Sequence, residues 1–137
     1  MIIRPFLHED ESAVVALWSG CGLTRPWNDP AKDIAFAAAG PASTILLAVD
    51  GDKIIGSVML GHDGHRGAIY YFAVDPAHQR QGIGRKLHEA AVIWLREKGV
   101  WKINLLVRSE NEKVAAFYKS LGYEDQQTLS FGKWLNR

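Results

Sequence analysis

A mixed α/β fold is predicted for this chain: a central, mostly antiparallel sheet with one parallel strand pair, flanked by about four helices. Three observations predict it. Thr44 to Val49 and Lys53 to Leu60 are β-rich runs on either side of Asp50-Gly51-Asp52, a hairpin signal. Ala68-Ile69-Tyr70-Tyr71-Phe72-Ala73-Val74 is a continuous β-branched and aromatic run, which reads as a buried strand halted by Asp75-Pro76. A helical pattern from Gly84 to Lys98 then leads to a strand-like Ile103 to Val107, a crossover that sets those two strands parallel and adjacent.

The remaining elements follow from spacing and punctuation. Ile2-Ile3-Arg4 opens the chain as a short strand. Val14, Leu17, Trp18 and Cys21 then fall at i, i+3, i+4 and i+7, giving an amphipathic helix that starts near Glu9 or Asp10. Asp29-Pro30 supplies an N-cap followed by proline at the first helical position, and Gly40-Pro41 ends the short helix built on Ile34 and its alanines. Asp63-Gly64-His65-Arg66-Gly67 turns the chain into the Ala68 strand. Ile83, Leu87, Ala90, Ala91 and Trp94 recur at helical spacing until Gly99 stops that helix. Helix Asn111 to Leu121, with Val114, Phe117, Tyr118 and Leu121 on one face, and a last strand around Thr128 to Lys133 complete the layers.

Composition narrows the function classes. At 137 residues and 47% hydrophobic content, the chain suits one domain covering 1–137 with a core of its own. With a net charge of only +1, nothing in the composition argues for nucleic-acid or membrane binding by bulk electrostatics. The single cysteine, Cys21, excludes an intrachain disulfide and reads as a buried core thiol, and no apolar run approaches a membrane span. With a strand-like rather than signal-like N-terminus, the expectation is a cytoplasmic protein.

The most informative stretch runs from Val74 to Lys86. It joins the buried strand to a helix through a basic, glycine-containing turn, so unpaired backbone N–H groups and the positive end of a helix dipole converge beside Arg80, Arg85 and Lys86. A phosphate suits that position. Gly82 and Gly84 allow close backbone approach, and their spacing matches neither the nucleotide-hydrolysing loop nor the dinucleotide fingerprint. The competing reading is a glycine-opened helix whose three cations are ordinary surface charge.

Gln79-Arg80-Gln81-Gly82-Ile83-Gly84 resembles the Q/R-x-x-G-x-G/A pyrophosphate signature of the GNAT superfamily of acyl-CoA-dependent N-acyltransferases. A second block, Asn111 to Gly122 followed by Tyr123-Glu124, resembles that family's C-terminal helix in its asparagine, its Phe-Tyr pair and its Leu-Gly end. The order and separation of the blocks agree. Arg25 to Pro30 and Asp63 to Gly67 are similar to segments of small bacterial single-domain acetyltransferases whose acceptors are unassigned.

The resemblance implies acetyl-CoA as cosubstrate, no metal, and a parallel strand pair that splays where the cofactor enters. The backbone of Phe72, Ala73 and Val74 would pair with the pantetheine arm as an added strand does. The segment Gln79, Arg80, Gln81, Gly82, Ile83, Gly84, Arg85 and Lys86 would take the phosphates, with Asn111, Phe117 and Tyr118 completing the donor site. Tyr118 would protonate the departing CoA thiolate, although its place on an apolar face equally suits a core tyrosine.

The acceptor would be the amine of a small molecule, peptide or protein, with no nucleic acid or membrane involved and a monomer or homodimer expected. Many relatives carry a glutamate on the central strand as base, but Ile69 to Val74 contains no carboxylate. Asp29, His62, Asp63 and His65 could border the acceptor, and Tyr70 or Tyr71 could position water. Trp27, Asn28 and Asp29 lie in the connection that borders the substrate groove in this fold. An exposed Trp27 would clasp the acceptor, whereas a buried one would be core. The missing strand carboxylate also leaves open a catalytically inactive acyl-CoA-binding or sensing module acting through a partner.

Overall fold

The computed structural model describes residues 1–136. They form two compact units, one from Met1 to Asn104 and one from Leu105 onward.

The first unit is a four-stranded antiparallel sheet in the order β1-β2-β3-β4, with β1 at Ile2–Pro5, β2 at Ser43–Asp50, β3 at Lys53–His62 and β4 at Gly67–Val74. Three of its helices are α1 at Glu11–Gly20, α2 at Pro30–Ala38 and α3 at Ile83–Glu97. Strand β2 shows why the sheet is buried on both faces. Its run alternates strictly, so Leu46 and Ala48 enter the cluster under α3, while Ile45, Leu47 and Val49 enter the cluster under α1 and α2. Asp50 pairs with Lys53 across the predicted hairpin. Asp29 caps α2 by accepting from the Lys32 amide at 3.2 Å, with Pro30 at the first position, and Gly99 ends α3 at φ 90.

The parallel pair is shorter than the sequence predicts. It consists of one rung, Gly67 opposite Ile103, closed by the Gly67 amide on the Lys102 carbonyl and the Asn104 amide on the Gly67 carbonyl, both at 2.9 Å. Residues 105–107 keep alternating burial but form no ladder. The expected strand at Thr128 to Lys133 is likewise absent. Its Thr-Leu-Ser-Phe alternation fits a strand with one apolar face, but a strand needs a hydrogen-bonded neighbour, and Leu129 and Phe131 are 82% and 90% exposed. The second unit therefore contains α4, Glu112–Ser120, and no strand among the described residues.

One other expectation changes: Cys21 is only partly buried, at the edge of the α1/α2 cluster. His88 is buried within α3, whereas Trp101 is 93% exposed.

One ion pair ties the chain entry to the sheet. Both Arg4 guanidinium nitrogens donate to Asp10, Nη1 to Oδ2 at 2.7 Å and Nη2 to Oδ1 at 3.0 Å, and the Leu7 amide donates at 2.8 Å. The Arg4 hydrogen bonds hold the Asp10 carboxyl below the usual carboxylate value, against the opposing effect of burial. A depressed carboxylate stabilises the fold above its unfolded pKa of about 4 and loses that contribution as pH falls through the folded value. Asp10→Asn is therefore expected to cost about 1–3 kcal/mol at neutral pH. Thermal unfolding series should show the gap from the parent narrowing as pH falls below the ordinary carboxylate pKa of about 4; a gap independent of pH would assign the loss to packing.

Candidate active site

The turn after β4 is built as a donor surface. Asp75 accepts from the Ala77 amide at 2.9 Å, starting a single 3-10 turn over Pro76–His78, and receives Lys53 Nζ at 3.4 Å. Arg80 and Gly82 then adopt left-handed backbone angles, φ 65 and φ 77, which swing successive peptide N–H groups to one side. Gly82 is the N-cap of α3 and brings no side chain to cap it. The amides of Gln81, Gly82, Ile83 and Gly84 make no hydrogen bond among the described residues. Ile83, buried against the sheet core, anchors this first turn, and Arg80, Arg85 and Lys86 stand exposed around it. Unpaired amides, a helix dipole and three cations together favour an anion such as a pyrophosphate.

Strand β4 leads into this turn through a bulge. Its pairing with β3 slips between Met59–Tyr70 and Ser57–Ala73, so Tyr71 and Phe72 face a single β3 residue, Val58. The slip reverses the faces of the strand. Ile69 enters the α3 cluster, yet Ala73, four residues on, enters the α1/α2 cluster, and Phe72 and Val74 take over the α3 side. Tyr71 sits at φ 46, a conformation an aromatic residue rarely adopts. Beyond the Gly67 rung, no strand among the described residues pairs with the outer edge of β4. The Val74 carbonyl on this strand accepts from Cys21 Sγ at 3.4 Å and from Gln79 Nε2 at 3.3 Å. Burial, followed by the nearby Asp75 charge, raises the Cys21 pKa above the ordinary thiol value, so it is not a ready nucleophile.

The residues expected on the acceptor side separate into two groups. The Tyr71 hydroxyl donates to Asp33 Oδ2 at 2.6 Å, the Asn28 side chain approaches the same hydroxyl, and the Asp29 charge is felt there. Burial, and then the Asp33 carboxylate, hold the Tyr71 phenol above its ordinary pKa, so it is neutral and a committed donor. Trp27, adjoining Asn28 in the chain, is 52% exposed, which removes it from the core. His62 and Asp63 sit elsewhere, in the β3–β4 hairpin. His62 Nδ1 accepts from the Gly64 amide at 3.0 Å, and Asp63 Oδ1 accepts from the amides of His65 and Arg66, both at 2.8 Å. Those bonds, Arg66's first, lower the Asp63 pKa and account for both side chains as turn formers. No group of three or more metal-ligating side chains gathers among the described residues.

Asp33 escaped the sequence reading. The available signal was its position four residues after Asp29, which places both carboxylates on one face of α2.

In the second unit, Asn111 caps α4 by accepting from the Val114 amide at 3.2 Å. Tyr118 is buried, with edge-on contacts to Phe117 and Tyr123, each at 5.4 Å between centroids. Burial, and secondarily Tyr123, raise its pKa above the ordinary tyrosine value, and burial brings Tyr123 up to about 12.

Comparison with known proteins agrees with this geometry. An acetyltransferase of Sodalis glossinidius is 42% identical over 136 residues, covering 98% of this chain and 96% of that one. Among solved structures, the aminoglycoside antibiotic 6'-N-acetyltransferase of Acinetobacter haemolyticus superposes with a TM-score of 0.81 at 19% identity, covering 98% and 99% of the two chains. AAC(6')-Iy, bound to the bisubstrate analogue CoA-S-monomethyl-acetylneamine, superposes at 0.83 with 16% identity and 97% of each chain covered. Those two likenesses show the fold. Residues 11–123 match the acetyltransferase (GNAT) family, and this chain belongs to that family of acetyltransferases.

Proposed function

We propose that the protein is an N-acetyltransferase that moves the acetyl group of acetyl-CoA to a primary amine by direct attack in a ternary complex, with the whole chain acting as one domain. The observation that carries the proposal is the Arg80–Gly84 turn, whose unpaired amides stand at the N-terminus of α3 directly after a strand with an open edge. The family match runs across both units, which supports a single functional domain.

In this reading the turn binds the CoA pyrophosphate, and the edge of β4 receives the pantetheine arm. The acceptor nitrogen loses a proton and attacks the thioester carbonyl. A C–N bond forms, the C–S bond breaks, and the CoA sulfur takes a proton from Tyr118. An alkylammonium has a pKa near 10.4, so the acceptor arrives as a cation at neutral pH, which a carboxylate attracts. The Asp33–Tyr71 pair therefore serves to hold and orient the acceptor; the ammonium gives one proton to solvent before attack, since only the neutral amine has a lone pair, and a second N–H proton leaves once the new C–N bond has lowered the basicity of the nitrogen. Aminoglycosides, the substrates named for the Acinetobacter enzyme, are one class of polyamine that such a carboxylate-lined site would suit.

A second reading, an acyl-CoA-binding module without catalysis, is favoured by one observation: strand β4 carries no carboxylate. Calorimetric titration with acetyl-CoA, followed by a mass-detected panel of amines, separates the two. Saturable binding with acetylation of any amine establishes the transferase; binding without transfer across peptides, polyamines, amino acids and aminoglycosides establishes the module. Absence of binding removes both.

A further inference from the structure

The bulge in β4 is held from three directions by residues outside any part of the chain that resembles the family signatures. A bulge disturbs the ladder locally, and here the Tyr71 carbonyl accepts from the Ser57 hydroxyl at 3.0 Å. The same Ser57 oxygen accepts from Trp18 Nε1 at 2.8 Å. Trp18 and Ser57 are fully buried, so the hydroxyl satisfies an indole N–H that water cannot reach. The Trp18 ring then stacks on Tyr71 with centroids 3.8 Å apart and planes 8° from parallel. On the far side, Asp33 anchors the Tyr71 hydroxyl at 2.6 Å.

The conformation being held is a costly one. A non-glycine residue in the left-handed region is disfavoured by about 1–2 kcal/mol and persists only where its surroundings over-determine it. Without that hold, β4 would relax toward a regular ladder. Phe72 and Val74 would exchange faces with Ala73, and the backbone groups at the strand edge would turn by half a residue pair.

We infer that Trp18, Ser57 and Asp33 are positioning residues that fix Tyr71 in its left-handed conformation and thereby hold the β4 edge in the geometry that receives the pantetheine arm of acetyl-CoA. The inference rests on the proposed use of acetyl-CoA. It separates the pantetheine half of the donor site, which depends on this clamp, from the pyrophosphate half, which depends on the Gly82 turn.

The test compares two ligands by calorimetry: acetyl-CoA, and adenosine 3'-phosphate 5'-diphosphate, which carries the phosphates without the pantetheine arm. Tyr71→Phe and Asp33→Ala cut the outer anchor, and Ser57→Ala cuts the buried one. Each is expected to weaken acetyl-CoA roughly tenfold while leaving the nucleotide within about twofold, the loss being that of one or two hydrogen bonds holding the strand. Should Ser57→Ala fail to fold, the Tyr71 and Asp33 variants, at half-buried positions, carry the test alone. Equal weakening of both ligands, or of neither, overturns the inference while leaving acetyl-CoA use intact. A parent protein that binds the nucleotide but gains nothing from the pantetheine arm overturns the inference too, and failure of the parent to bind either ligand removes the proposed function with it.

Discussion

Gly82→Val is expected to reduce acetyl-CoA affinity by more than about a hundredfold with only a small fall in melting temperature. The residue stands at φ 77 and ψ 9 as the N-cap of α3, where a Cβ would meet nothing within 4 Å. Space is therefore no obstacle to folding; the backbone angle is. A β-branched residue is strained there, and relaxation toward negative φ would rotate the amides on either side of position 82 away from their common direction. Hydrogen bonds to a charged group contribute about 1.5–3 kcal/mol each, so losing two corresponds to roughly a hundredfold or more. Gly82→Asn is the informative companion. Asparagine tolerates the left-handed region, so it should retain most of the affinity if the backbone angle matters most. If asparagine and valine lose affinity equally, the bare Cα is what the phosphate requires. Retention of binding by both would place the phosphates elsewhere.

Much of this architecture can be read from residue order because it depends on local chemistry. The Asp29-Pro30 start of α2, the Asp50-to-Lys53 hairpin and the Gly99 stop of α3 are turns and caps whose residue types impose their own backbone angles. The left-handed turn at Arg80 to Gly82 is legible for the same reason. The clamp at Tyr71 is different. Ser57 is an unremarkable polar residue within a strand, and Trp18, 39 residues earlier, reads correctly as part of the buried face of α1. Their bond arises only when α1 is laid across the bulge, and a β-branched and aromatic run such as Ala68 to Val74 gives no sign that one of its tyrosines leaves the β region. Asp33 shares this difficulty, since its partner Tyr71 is 38 residues away. The strand expected near Thr128 fails in the opposite direction. Alternation is a local property that residues 128–131 possess, whereas a neighbouring strand is not.

Tyr118→Phe is expected to lower kcat by roughly a hundredfold or more while changing the acetyl-CoA dissociation constant less than about twofold. The phenol is buried, and that burial moves its pKa upward from 10. The direction has two consequences. The neutral form survives throughout the physiological range and well into alkali, so the acid is always loaded, and no loss of kcat between about pH 7 and 10 should trace to its ionisation. A free thiolate has a pKa near 8.5, so complete transfer from an acid above 10 would be uphill by at least about 2 kcal/mol. In the proposed mechanism the Tyr118 hydroxyl therefore acts first as a hydrogen-bond donor to the growing charge on sulfur, where that bond is worth most, and proton transfer is completed only once the thiolate has formed. A transition-state interaction of this kind appears in kcat and not in donor affinity. The phenylalanine variant keeps the ring and its edge-on contacts with Phe117 and Tyr123, so folding and packing are preserved in the comparison. Equal turnover by the variant and its parent, with acetyl-CoA binding intact, would make Tyr118 a packing residue. The sulfur would then take its proton from another donor.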